Sequence, residues 1–269
     1  MRTGSEPPTG TVARAVAVLR AVIEAGEDVS VAELTETLGL PRPTVHRLLD
    51  LLAKEDMVEP DHGTRRWRPT VECQRLGAVL AARRDLVRLA RPVLAEVVER
   101  SQEACLLGVY LPRRREMIYA SEHTSPNPLS YRIELNSPVP VNWGASGRAI
   151  LAFLPEEEIE AILAERAPNP VTGEKAPSAN VLRRELDFIR QAGFAFSRGQ
   201  KIPGSRGIAA PILGADGIAV GSLTLTIPEM RFREEAKEQL AEMVIRGAGE
   251  LSVMLGYRAP QASGVAGRR

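Results

Sequence analysis

Histidine and cysteine are scarce: three and two in 269 residues. His46, His62 and His123 show no metal-ligand spacing, and Cys73 and Cys105 lie apart in mainly apolar or helical surroundings, so reduced thiols and no metal site are expected. No apolar run reaches the roughly 18 residues a bilayer span needs. The opening MRTGSEPPTG has no apolar signal core, which predicts a cytoplasmic protein with no membrane partner. Also missing are a Gly-x-Ser-x-Gly elbow, a phosphate-binding Gly-Lys-Ser/Thr loop and a complete dinucleotide fingerprint. Ser146 is placed like a nucleophile at a helix start but has no identifiable base. The expectation is no catalytic residue and no cofactor.

There is little excess charge of either sign. The formal net is +1, and residues 1–84 carry twelve basic and twelve acidic side chains, so no general affinity for polyanions is implied. The distribution is uneven. From His62 to Arg84 six arginines face the single Glu72, whereas Glu24, Glu27, Asp28, Glu33 and Glu36 cluster earlier. A local basic surface is therefore compatible with the balance.

What is present begins with SVAELTETLGLPRPTVHRLLDLLAK, Ser30 to Lys54. Ser30-x-x-Glu33 is a capping box, with Val29 and Leu34 as its hydrophobic staple. Gly39 supplies a left-handed exit, and Leu40-Pro41 stops the helix. A second helix restarts with Arg42 as its cap and Pro43 in its first turn, and Val45, Leu48, Leu49 and Leu52 form a buried stripe at i, i+3, i+4, i+7. Arg47 lies nearly opposite that stripe, with Thr44 and His46 on its shoulders. This is the form of a recognition helix for a major groove, although an ordinary helical hairpin with a solvated polar face has the same pattern.

In chain order, residues 1–10 read as a disordered tail, and Val12, Val16, Leu19 and Val22 mark a first helix ending near Gly26. Met57–Glu59 and Thr64–Arg68 read as a hairpin across Pro60-Asp61-His62-Gly63. Three helices and such a hairpin are a winged helix-turn-helix, with Arg65, Arg66 and Arg68 as wing residues and Trp67 tucked inward. Residues 76–90 read as a linker helix, with Pro92 ending it or opening the next. Strands are expected at Ala104–Leu111, Glu116–Ser121, Leu129–Leu135, Val139–Asn142, Phe194–Arg198, Gly207–Leu213 and Ile218–Ile227. Helices are expected at Gly144–Phe153, Pro155–Arg166, Val181–Ala192 and Arg233–Tyr257. That alternation predicts a second, α+β domain over residues 91–257, and residues 258–269 as a disordered tail.

The runs GLPRPTVHRLLDLLAKEDMV, LGVYL, MIYASE, GASGRAILAFLPEEE, GFAFSRGQ, RGIAAPIL and IAVGSLTLTIPEMR, taken in order, resemble the IclR family of bacterial transcriptional regulators from about Val12 to Tyr257. The resemblance implies an N-terminal winged helix-turn-helix (mainly α) over residues 11–75, a linker helix and a C-terminal GAF-like α+β effector-binding domain, in a dimer or dimer of dimers. It places the recognition helix at Arg42 to Lys54, where Thr44, His46 and Arg47 match Thr-x-His-Arg. The candidate interface with double-stranded promoter DNA is Arg42, Pro43, Thr44, His46, Arg47, Arg65, Arg66 and Arg68. The resemblance also places the effector pocket at Ala145, Ser146 and Gly147, at Ser197 and Gly207, and at Thr224 and Thr226. Two departures matter. The wing ends Trp67-Arg68-Pro69-Thr70 where the family has aromatic-Arg-Leu-Gly, and Arg148 stands where members usually carry lysine.

Together these readings describe a sequence-specific regulator, a repressor before an activator, that responds to a small organic acid. The acid's carboxylate is expected on free backbone amides at Ala145 to Gly147, with no lysine needed. Four phosphate contacts per subunit through Arg42, Arg65, Arg66 and Arg68 predict a log affinity against log salt slope of about −7. A metabolite-binding enzyme and a ligand-independent architectural DNA-binding protein are the competing readings. Some 170 residues of α+β domain exceed what dimerisation alone requires.

Overall fold

A computed structural model describes residues 10–61, 63–82, 85–131 and 133–258. Nearly all of both expected tails, together with His62, Arg83 and Arg84, lies outside the described residues. The chain divides into two units, residues 1–84 and 85–269.

In the first unit, α1 (Thr11–Glu24), α2 (Val31–Leu38) and α3 (Arg42–Lys54) enclose a core of Val18, Val22, Leu34, Val45, Leu48 and Leu49. The capping box forms. The Ser30 hydroxyl accepts from the Glu33 amide at 3.2 Å, and the Ser30 amide donates to Glu33 Oε2 at 2.7 Å. These bonds, the one from the Ser30 amide foremost, hold the Glu33 carboxyl below the ordinary carboxylate range. Replacing Ser30 by Ala is expected to lower the stability of this unit by about 1 kcal/mol, read as a shifted urea midpoint at constant slope. Gly39 closes α2 at φ 62°, in the left-handed region. The cap of α3 is Pro41, and Arg42 is its first helical residue. Pro41 keeps extended dihedrals while its carbonyl accepts from the Val45 amide at 3.1 Å, so a missing N–H costs nothing there.

The hairpin is shorter than the sequence predicts. Strand β1 (Val58–Pro60) pairs antiparallel with β2 (Trp67–Pro69). Gly63 and Thr64 form the turn, because Asp61 Oδ1 accepts from their amides at 3.0 and 2.7 Å. Trp67 is buried and exchanges both backbone bonds with Val29, which ties the hairpin to the entry of α2.

Helix α4 (Val71–Ala82) follows, and α5 (Asp85–Ser101) opens the second unit. The expected break at residue 90 is absent, and Pro92 lies inside α5. Arg88, Arg91 and Pro92 are exposed while Val93, Leu94, Val97 and Val98 are buried. Pro92 thus frees a carbonyl on the wet side of the helix, where water satisfies it, and burial on the other side holds the helix together.

The second unit is built on a six-stranded antiparallel sheet of order β5-β4-β3-β8-β7-β6. The strands are β3 (Ala104–Leu111), β4 (Glu116–His123), β5 (Val139–Pro140), β6 (Ala195–Arg198), β7 (Ser205–Leu213) and β8 (Ala219–Pro228). On one face Cys105, Leu107, Ile208, Leu223 and Leu225 pack against α5 and α9 (Lys237–Met254). On the other, Leu106, Tyr119 and Ala209 pack against α6 (Gly144–Leu151), α7 (Glu156–Glu165) and α8 (Ala179–Ala192). The residues of β8 that alternate with Leu223 and Leu225, namely Ser222, Thr224 and Thr226, face this second layer. Within the expected strand at Leu129–Leu135, neither residues 129–131 nor residues 133–135 form a strand. Leu129 and Leu135 are exposed, and the Tyr131 hydroxyl donates to the Gly204 carbonyl at 2.6 Å, so this segment meets the β6–β7 loop.

Candidate nucleic-acid interface and effector site

On α3 the stripe of Val45, Leu48 and Leu49 is fully buried, and Arg42, Pro43, His46 and Arg47 are exposed with Thr44 half-buried beside them. Arg65 is exposed at the hairpin tip, where φ of 56° turns it away from the strands. These residues are presented outward, as expected. Two of the three wing arginines, Arg66 and Arg68, are instead engaged in ion pairs. Arg66 donates through Nε to the Asp28 carbonyl at 2.6 Å and grips Glu33 at 2.9 and 3.1 Å. Arg68 pairs across the hairpin with Glu59 at 2.8 Å. Arg66 therefore fastens the wing to the capping box of α2, and a paired arginine offers little net charge to a phosphate.

In the second unit the structure brings together four of the seven expected effector residues, Ala145, Ser197, Gly207 and Thr226. Strands β6, β7 and β8 set Ser197, Gly207 and Thr226 side by side. A Cβ on Gly207 would meet Ser197 Oγ at 2.8 Å and the Ala145 side chain at 3.3 Å, so α6 lies directly on this row. Every residue of α6 is buried.

The amides are the correction. The Ala145 amide donates to Ser197 Oγ at 3.0 Å, and the Gly144 amide to Gln200 Oε1 at 3.0 Å. The Ser146 hydroxyl is 2.7 Å from the Tyr119 hydroxyl. At Gly147 a Cβ would fall 2.8 Å from the Val141 Cα, so the chain before the helix closes over its first turn. The first two amides of α6, those of Gly144 and Ala145, are thus engaged by side chains and are not free as expected at Ala145.

Beside this helix start lies Lys201, in a Gly- and Pro-containing loop where a lysine is ordinarily solvated. Its stem lies along Gly144, whose Cβ would meet the Lys201 Cγ and Cδ at 3.1 Å. The Nζ sits 5.5 Å from the centroid of the Tyr119 ring and donates to Met117 Sδ at 3.3 Å. Desolvation, with a smaller push from the Arg148 guanidinium, brings its pKa down to about 7. Lys201 is half-buried and Arg148 is buried; the Arg148 Nε donates to the Asn142 carbonyl at 3.3 Å and its guanidinium pairs with Glu185 at 2.7 Å. Three buried polar atoms have no partner among the described residues: Asn142 Oδ1, Ser222 Oγ and Thr224 Oγ1. The two hydroxyls belong to the β8 row that faces α6. Open clefts lie apart from this site, one of about 230 Å³ between Ser101, Glu103, Arg231 and Leu240, another of about 510 Å³ beside Arg91, Leu94 and Ser121. Among the described residues no group of three or more His, Cys, Asp or Glu is placed to hold a metal.

Comparison with known proteins agrees across both units. The model of the IclR helix-turn-helix domain matches residues 11–62, and that of the bacterial transcriptional regulator IclR C-terminal domain matches residues 78–253. The HTH-type transcriptional regulator KdgR of Dickeya chrysanthemi is 25% identical over 247 residues, covering 92% of this chain and 80% of that protein. The transcriptional repressor IclR of Escherichia coli (strain K12) is 24% identical over 253 residues, covering 93% and 92%. Among solved structures, a putative IclR regulator from Silicibacter sp. TM1040 superposes with a TM-score of 0.82 at 24% identity, covering 94% of this chain and 98% of that one. An IclR homolog from Microbacterium hydrocarbonoxydans, solved in complex with 4-hydroxybenzoate, gives 0.74 at 22% identity, covering 91% and 99%. At these identities the solved structures speak to the fold.

Proposed function

The chain belongs to the IclR family of bacterial transcriptional regulators, and from that premise we propose that it is a repressor that binds a pseudo-palindromic promoter site as a homodimer, or dimer of dimers, and is modulated by a small organic acid. The observation that carries the reading is the outer face of α3, where Arg42, His46 and Arg47 are exposed above a stripe with no accessible surface. One such helix per chain fits a two-fold dimer, with two helices in successive major grooves about 10 base pairs apart, or a multiple of that. The relative solved with 4-hydroxybenzoate supports an organic acid as the ligand class. No helix among the described residues is long and apolar enough to cross a membrane, which accords with a cytoplasmic protein.

Fluorescence anisotropy on a promoter duplex and its scrambled counterpart, over a salt series, tests this. With Arg66 and Arg68 held by Glu33 and Glu59, Arg42 and Arg65 remain for phosphate, and the salt slope for the dimer becomes about −4 instead of −7. Arg65→Ala removes one contact per subunit and is expected to bring it to about −2. Equal affinity for the promoter and scrambled duplexes defeats the reading.

A further inference from the structure

Lys201 is a cation placed where its neighbours cannot neutralise it. The charged and titratable groups that face it are Tyr119 of β4 and Arg148 of α6, the latter answered by Glu185 of α8. No carboxylate reaches Lys201 among the described residues, and its one hydrogen-bond acceptor is the Met117 thioether, a weak one. Lys201 is half-buried, and a partly desolvated, uncompensated charge costs stability, a cost that persists at functional sites.

Met117 joins this cation to a second anomaly. The backbone of Gly108 lies between β4 and β8, paired with Tyr119 on one side and Ser222 on the other. A Cβ built at Gly108 would be 2.9 Å from Met117 Cε and 2.6 Å from Ser222 Oγ. The methionine therefore reaches from Lys201 towards Ser222, whose hydroxyl is wholly buried and has no partner among the described residues. A charged donor with no acid and a buried hydroxyl with no partner sit at the two ends of one flexible apolar side chain. Methionine has the rotamer freedom to leave such a gap and to refill it.

Resting on the reading of this domain as an organic-acid sensor, we propose that Lys201 and Ser222 are the two ends of a monocarboxylate site, occupied in the free protein by the Met117 side chain. The carboxylate takes the Lys201 ammonium, displaces the thioether and completes the bonding of the Ser222 hydroxyl. Glycine at 108 leaves the floor clear for this exchange. The arrangement also gives an anion a charged partner where Ser197 and Gln200 occupy the first two amides of α6.

Titration calorimetry of the full chain with benzoate, 4-hydroxybenzoate and pyruvate, and with benzamide as the uncharged counterpart of benzoate, tests the proposal. At least one acid is expected to bind, with benzamide far weaker than benzoate. Lys201→Met, which keeps the apolar stem, should weaken the acid by roughly tenfold or more, and Ser222→Ala by several-fold with an unchanged or higher melting temperature. Since the Lys201 ammonium titrates near 7, affinity should fall as pH rises from 6 to 8.5, and titrations at pH 8 in two buffers of different ionisation enthalpy should show net proton uptake. This readout is independent of any variant's folding. An acid that binds Lys201→Met as it binds wild type, without proton uptake, overturns the Lys201 site and leaves the organic-acid reading standing. Equal binding of benzamide and benzoate, or no binding by any of the acids, overturns both.

Discussion

Replacing Arg47 by alanine is expected to weaken promoter binding by about 1 to 3 kcal/mol per half-site, and so by about 2 to 6 kcal/mol for the proposed dimer, the upper end being a loss of more than four decades in affinity. Arg47 is exposed on α3, one residue ahead of the buried Leu48–Leu49 pair that fixes the helix, and it has no ion pair or hydrogen bond to other described residues. Its removal should therefore leave the melting temperature unchanged, within the small range typical of surface substitutions. Specificity should relax at one base position in each half-site if the guanidinium makes a bidentate contact to guanine. Arg66→Ala is the informative contrast. It loosens the wing from Glu33 and the Asp28 carbonyl, and should reduce stability without relaxing any base position. A selection of binding sites from a randomised duplex measures this, and an unchanged preference in Arg47→Ala would remove Arg47 from base recognition.

A second large effect is expected at Gly147. By helix propensity alone, alanine in place of a helical glycine stabilises by up to about 1 kcal/mol. Here the new methyl group would sit 2.8 Å from both the Cα and the carbonyl carbon of Val141, which are backbone atoms with no rotamer to change. The steric term wins. Gly147→Ala should destabilise the second unit by about 3 kcal/mol, a fall of roughly 6 to 12 °C in its melting temperature. Calorimetric melting of wild type and variant decides between the two terms, since a rise would mean that propensity dominates. The same substitution lifts α6 from the Val141 segment and should impair acid binding, because Gly144 and Ala145 at that helix start contact Lys201, Gln200 and Ser197.

Local grammar determined much of this protein. The capping box at Ser30 and Glu33, the left-handed Gly39 and the period of Val45, Leu48 and Leu49 are short-range features, and each formed as its residues dictate. Period-two alternation likewise assigned Thr224 and Thr226 to one face of β8, opposite Leu223 and Leu225. Boundaries were less legible where a competing interaction was invisible. Pro92 stays inside α5 because its face is wet, and the wing turn is long because Asp61 captures two amides.

Contacts between distant residues had no sequence signal. Nothing in the order of residues shows that Arg66 would be engaged by Glu33, that Ser197 and Gln200 would occupy the first amides of α6, or that Lys201 would lie on Gly144 with Met117 as its hydrogen-bond acceptor among the described residues. Charge and hydrogen-bonding capacity are properties of a residue, but whether they are free for a ligand depends on what the fold brings within about 3 Å. The sequence determined which residues line the two faces, and the tertiary structure decided which of them have donors and charges to spare.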